Sequence, residues 1–136
     1  MIKITADPID TMKVITAAES LKAGAVNVFI GTVRNESKGR PVRWLEYEAY
    51  EAMAVSEIRK ITDEATQRWN LTGCAVAHRT GTLKPNDIAV VVAVSCGHRK
   101  ESFEACEWII DTLKQTVPIF KKEVFENGEE WVSAHP

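Results

Sequence analysis

The chain has 136 residues, 45% of them hydrophobic and 26% charged, and its 17 Lys and Arg against 19 Asp and Glu leave a formal net charge of −2. That length accommodates one domain, residues 1–136, with one core, and the composition excludes a disordered or collagen-like chain. A pI near 5.9 argues against a whole-surface nucleic-acid binder, whose domains are basic with pI above about 9, but leaves room for a small basic pocket.

Ile2 and Ile4 alternate with polar residues and predict a short strand before Pro8. Asp10 then caps a helix over 11–22, with Met12, Ile15, Ala18 and Leu21 at helical spacing, closed by Gly24. Residues 25–33 are rich in β-branched side chains and read as a strand, with Gly31 marking a bulge or close approach. The polar stretch 34–41, with Gly39 and Pro41, reads as a loop. A strand over 44–49 puts Leu45, Tyr47 and Ala49 on one face, and a helix over 51–69 puts Ala54, Ile58, Ile61 and Ala65 on one stripe. Strands follow at 74–79 and 88–96, the second dense enough in apolar residues to be central, with turn chemistry between them at 81–87. A helix over 100–115 buries Phe103, Cys106, Ile110 and Leu113 and stops before Pro118; strands at 119–125 and 129–133 then join at Asn127-Gly128. The pattern is mixed α+β, in one domain, with too few βα alternations for a doubly wound sheet.

Three scattered cysteines, Cys74, Cys96 and Cys106, form no CxxC pair and read as small buried hydrophobes of a reducing compartment. The first eight residues lack the features of a signal peptide, and the longest apolar run, 88–94, falls short of the ~20 residues that span a bilayer. A cytoplasmic chain with no membrane and no nucleic-acid partner is expected. No GxSxG, Walker, GxGxxG or HExxH motif is present. Cys96 and His98 sit two apart without a built catalytic geometry, and the thiol reads as packing rather than a nucleophile.

The cations are more informative. Arg34 stands where a strand opens into the polar loop, and His98-Arg99 stands where the central strand passes into a helix N-terminus, a place that favours anions. Lys114 closes that helix and Lys121-Lys122 follow. Brought together, Arg34, Arg99, Lys114 and Lys121 build an anion pocket; taken singly, each is also an ordinary solvated or dipole-complementing cation.

Gly31-Thr32-Val33-Arg34-Asn35, Leu45-Glu46-Tyr47-Glu48, His78-Arg79-Thr80-Gly81 with Leu83, and Ser95-Cys96-Gly97-His98-Arg99 occur in this order. Phe103-Glu104-Ala105, Asp111-Thr112-Leu113-Lys114, Val117-Pro118-Ile119-Phe120-Lys121-Lys122-Glu123 and Gly128 to Trp131-Val132 follow. As an ordered set over almost the whole chain they resemble the large, catalytic subunit of molybdopterin synthase. The resemblance implies an α/β-hammerhead-like fold with a mixed and antiparallel sheet, and a homodimer within a heterotetramer. It also implies a sulfurtransferase that needs no metal or organic cofactor. A small ubiquitin-like sulfur carrier inserts its C-terminal Gly-Gly thiocarboxylate, and two sulfurs pass to cyclic pyranopterin monophosphate to form the molybdopterin dithiolene.

Carried over by position, the resemblance makes Lys114 the main catalytic residue and Lys121 the second, anchoring the pterin or an intermediate. It places Arg34, His98 and Arg99 at the pterin phosphate, Lys122 as a weaker contact, and Phe29 and Ile110 beside the tail channel. Guanidinium forks suit a phosphate, and a lysine suits charge developing on the acyl carbon's substituents. Two departures stand out. Asn86 occupies a turn position where glycine is common, which asparagine tolerates in the left-handed region; and the chain stops at Pro136, putting a carrier contact by a longer tail in doubt. The alternative is a non-catalytic module that binds a phosphorylated metabolite or an RNA end in the same basic pocket.

Overall fold

A computed structural model describes residues 1–133. The short tail noted above, with the end of the expected 1–136 domain, lies outside the described residues. In chain order the elements are β1 (Ile2–Thr5), α1 (Thr11–Ala18), β2 (Ala25–Thr32), β3 (Glu36–Ser37), β4 (Arg40–Ala49), α2 (Glu51–Trp69), β5 (Gly73–Arg79), β6 (Gly81–Leu83), β7 (Ile88–Cys96), α3 (Arg99–Thr116), β8 (Ile119–Phe125) and β9 (Gly128–Ser133). The α+β class holds.

The first sheet has the order β1-β5-β7-β2, parallel between β1 and β5 and antiparallel elsewhere. The central place expected for 88–96 belongs to β7, buried from Ala89 to Cys96. One face of this sheet packs against α1 through Val14, Ala18, Ala75, Ala77, Val91 and Ala93. The other carries the larger core, where Val76, Val90, Val92 and Val94 meet Ile58 and Ile61 of α2 and Ala105, Ile109 and Leu113 of α3. In the second sheet β4 pairs with β8, which pairs with β9, while β3 and β6 also bond to β4. No helix of the described residues is long and apolar enough to cross a membrane.

Three helix expectations change. The Asp10 side chain caps α1 by accepting from Lys13 N at 3.2 Å, but the helix ends at Ala18 instead of running to residue 22. Glu19 turns extended, and the Ser20 hydroxyl takes the Lys22 N–H into a competing local turn. Leu21 is consequently fully exposed, and Val14 rather than Met12 joins Ala18 in the core. On α3 the buried face is Ser102, Ala105, Cys106, Ile109, Ile110 and Leu113, whereas Phe103 is 60% exposed.

Two loops also differ. The expected 34–41 loop contains the β3–β4 hairpin, whose turn residues Lys38 and Gly39 have φ of 54° and 74°, the two-residue left-handed turn that suits strand twist. In the last hairpin the turn is Glu126-Asn127, with Gly128 at φ 149° opening β9, one residue earlier than expected. Asn86 adopts φ 76° as its residue type allows. At Gly31 the strand bulges, and a Cβ there would sit 2.6 Å from Val90 Cγ1. This bulge ends the β2 ladder just before Arg34.

Candidate active site

The end of β2, the C-terminal turn of α3 and the strands β4 and β8 meet around a cavity of about 150 Å³. Arg34, Lys114 and Lys121 line it, with Tyr47 and Glu123. Each arrives there for a local reason. Arg34 follows the Gly31/Thr32 bulge. Lys114 sits in the last turn of α3, beside Leu113, which is buried against the sheet, where a cation complements the helix dipole. Lys121 and Glu123 lie two apart on β8 and so share a face, and Tyr47 is directly opposite Lys121 in the ladder.

Alternation sends Lys122 to the other face. Its Nζ lies 2.8 Å from Glu46 and 3.6 Å from Glu129, and 5.2 Å from the centre of the Trp131 ring. The hydrogen bond to Glu46 holds this lysine above, and the bond from Lys122 holds Glu46 below, the usual range of each group. Lys122 is thus engaged away from the cavity. Trp44 is half-buried and donates its indole N–H to Glu46 at 3.3 Å, while Trp131 is exposed.

His98 and Arg99 are also apart from the cavity within one chain. They are exposed at the N-terminus of α3, and the 15 residue steps from Arg99 to Lys114 span about 22 Å of helix. One chain therefore brings Arg34, Lys114 and Lys121 together but not Arg99, contrary to the single cleft drawn from the sequence. Phe29 and Ile110 line a different feature, an apolar groove of about 330 Å³ that also includes Phe103 and Cys106.

Electrostatics set the cavity apart from the surface. Glu123 is 4% exposed, and its Oε2 has no hydrogen-bond partner among the described residues. Burial pushes the Lys121 ammonium below the usual lysine range; Glu123 opposes this, while the charges of Lys114 and Arg34 reinforce it. Burial, with the nearby Glu123 charge, raises the Tyr47 phenol to about 12, so it is a neutral O–H. A buried carboxylate among cations in a small cavity is the arrangement that keeps like charges together. Sequence reasoning passed over Glu123 and Tyr47. The available signal was the period of two on β8, which puts Glu123 on the Lys121 face.

The thiols are poor nucleophiles. Cys96 Sγ donates to the His98 carbonyl at 3.2 Å rather than to an imidazole, and burial raises its pKa. Burial likewise lifts Cys74 to about 12 and Cys106 to about 11. Cys96 and Cys106 are buried as expected, and Cys74 is half-buried. Among the described residues no group of three or more His, Cys, Asp or Glu side chains is placed to hold a metal ion.

The family model described as MoaE protein matches residues 4–116. The chain belongs to the MoaE family. This MoaE chain is 46% identical over 130 residues to the molybdopterin synthase catalytic subunit of Bacillus subtilis, covering 96% of this chain and 83% of that one. Its fold superposes on the crystal structure of molybdopterin synthase from Staphylococcus aureus with a TM-score of 0.92 at 42% identity, over 96% and 95% of the two chains. A complex of subunits 1 and 2 of the molybdopterin-converting factor from Helicobacter pylori aligns with a TM-score of 0.79 at 25% identity, over 99% and 93%. The resemblance read from the ordered motifs is therefore a family membership, and the MoaE chain is of the catalytic-subunit type.

Proposed function

We propose that this chain is the sulfurtransferase subunit of a molybdopterin synthase. It takes sulfur from the C-terminal Gly-Gly thiocarboxylate of a small ubiquitin-like carrier and passes two sulfurs to cyclic pyranopterin monophosphate. The observation that carries this reading is the convergence of Lys114, Lys121 and Arg34 on one cavity that also holds Glu123. Both reactants are anionic, and pre-placed cations need no reorganisation as charge develops.

Lys114 supports the developing charge at the acyl carbon, Lys121 anchors the pterin or its intermediate, and Arg34 holds a phosphate oxygen pair through its guanidinium fork. The Phe29–Ile110 groove takes the apolar part of the carrier's tail. Because Arg99 lies about 22 Å of helix from Lys114, His98 and Arg99 serve a pocket on a second copy, which makes the functional unit a homodimer with a carrier on each subunit. Lys122, bound to Glu46 and Glu129, supports the sheet that presents Lys121.

Purified protein mixed with thiocarboxylated carrier and the pterin monophosphate is expected to form dithiolene product. Lys114→Ala should lower the rate by about 10²–10³-fold, the scale of losing one preorganised donor, and Lys121→Ala by roughly 10-fold or more. Full activity in Lys114→Ala defeats the assignment. Tight binding of the pterin or of an RNA end, with no sulfur transferred by the unmodified protein, favours the binding module instead.

A further inference from the structure

The β3–β4 hairpin has little backbone to hold it in place. Glu36 pairs with Pro41 and Ser37 with Arg40, but a proline has no N–H to give to the ladder. Beyond these pairs, the Val42 N–H bonds to the Asn35 carbonyl at 2.9 Å. Val42, opposite Phe125, is also where the β4–β8 register ends. A ribbon this short does not hold itself closed in water, and side chains take over.

Arg40 makes three contacts past the end of that ladder. Its guanidinium carbon lies 3.7 Å from the centre of the buried Phe125 ring, Nη2 donates to Asn127 Oδ1 at 3.0 Å, and Nη1 stands 3.6 Å from Glu130 Oε2. Lys38, in the turn, reaches the other Glu130 oxygen at 3.4 Å. Glu130 is directly opposite Glu123 in the β8–β9 ladder, so both carboxylates lie on the cavity face of that sheet. The hairpin is therefore drawn down on the cavity side. Glu36 and Ser37, with Arg34 just before them, line the cavity, and the same three residues border an open cleft of about 420 Å³. The cavity itself, about 150 Å³, is smaller than the roughly 300–1,000 Å³ of a small-molecule pocket. A pterin monophosphate that reaches Lys114 and Lys121 thus extends past Arg34 along the hairpin.

We propose that Arg40 is a positioning residue for the pterin substrate, latching the β3–β4 hairpin to Phe125, Asn127 and Glu130 so that Arg34, Glu36 and Ser37 are fixed against the part of the substrate outside the cavity. The proposal rests on the sulfurtransferase reading of that cavity. Arg40 acts through the hairpin wall and touches neither reactant. Its ion pair with Glu130 has side chains 41% and 45% exposed, so the latch is weak and screened by salt and can release product as well as hold substrate. Lys114 and Lys121 stand on α3 and β8, outside the hairpin, and chemistry in a filled site does not depend on the latch.

The reconstituted assay separates positioning from general damage. Arg40→Ala is expected to raise KM for the pterin about 5- to 10-fold, the factor for losing one exposed ion pair and one cation–π contact, with kcat and affinity for the carrier within about two-fold. Glu130→Ala should raise the same KM about three-fold. The two effects should not multiply, so the double variant stays within about two-fold of Arg40→Ala. A lysine-specific protease should cut after Lys38 faster in Arg40→Ala than in the unmodified protein. A pterin KM within two-fold of normal in Arg40→Ala overturns the proposal. So does a loss confined to kcat, which would mark a smaller active fraction, and so do effects of Arg40→Ala and Glu130→Ala that multiply in full. Absence of product from the unmodified protein would instead count against the sulfurtransferase reading itself.

Discussion

At the scale of single residues, three cations and one buried carboxylate share a small cavity, and the carboxylate offsets part of what burial does to Lys121. Glu123 raises the pKa of Lys121, whereas burial, Lys114 and Arg34 all lower it. Glu123→Gln removes the only contribution in the raising direction, so Lys121 should titrate at still lower pH, followed by NMR of its side-chain Cε and Nζ. An unmoved titration would separate Glu123 from the lysine. His78 bears on stability in the same pH-dependent way. Burial holds its folded value at about 4, below the ordinary imidazole value of 6.5, so between these pH values the unfolded chain binds a proton that the folded chain does not. Stability is therefore complete above pH 6.5 and declines toward pH 4, by up to about 3 kcal/mol for this group. Urea unfolding at pH 7 and pH 4.5 should show this decline, and His78→Phe should flatten it; an equal slope in both proteins would assign it to other groups. Lys114, Lys121 and Arg34 were legible in the sequence because their spacing matches an ordered family pattern. Glu123 and His78 were not, since an acid on a strand reads as solvated and a lone histidine as incidental until burial is known.

Elements were legible to the extent that one physical signal dominated each. The nine residues of β7 are apolar nearly throughout, and only a central strand buries both faces of such a run. The α2 stripe also held, because Ala54, Ile58, Ile61 and Ala65 form the only apolar face available. On α3 two stripes competed. Phe103 lies at offset three from Cys106, but Ala105 and Ile109 are better centred on the sheet, so Phe103 falls at the margin and flanks the groove. Small residues decide how closely elements approach. A Cβ on Gly73 of β5 would collide with the Ala18 carbonyl at the end of α1 and with the Ser95 hydroxyl on β7. Because a backbone oxygen cannot swing aside, Gly73→Ala should destabilise by about 1–3 kcal/mol, the range for overpacking. Chemical denaturation checks it, and a midpoint equal to that of the unmodified protein would mean that α1 shifts freely.

For the whole molecule, the separation of Arg99 from Lys114 makes a sharp prediction about assembly. If each pocket is completed across a two-fold axis, Lys114→Ala and Arg99→Ala chains, each nearly inactive alone, rescue one another when mixed and reassembled. Random pairing makes about half the dimers mixed, each with one intact site of two, so activity should return to about a quarter of the unmodified level. No recovery would place every essential group on one chain. The distance between Arg99 and Lys114 within one chain was not drawn from the sequence, because spacing along a helix names its two ends without saying whether one cleft reaches both.

Helix α3 runs unbroken for 18 residues from Arg99 to Thr116, with Arg99 in its first turn and Lys114 in its last. A single inserted residue would advance one end by only about 1.5 Å but swing it by about 100° around the axis. Either Lys114 would leave the cavity, or Cys106, Ile109 and Leu113 would rotate off the sheet. The rod therefore transmits angular phase as well as distance, and only changes close to whole turns leave its two ends pointing as they do now.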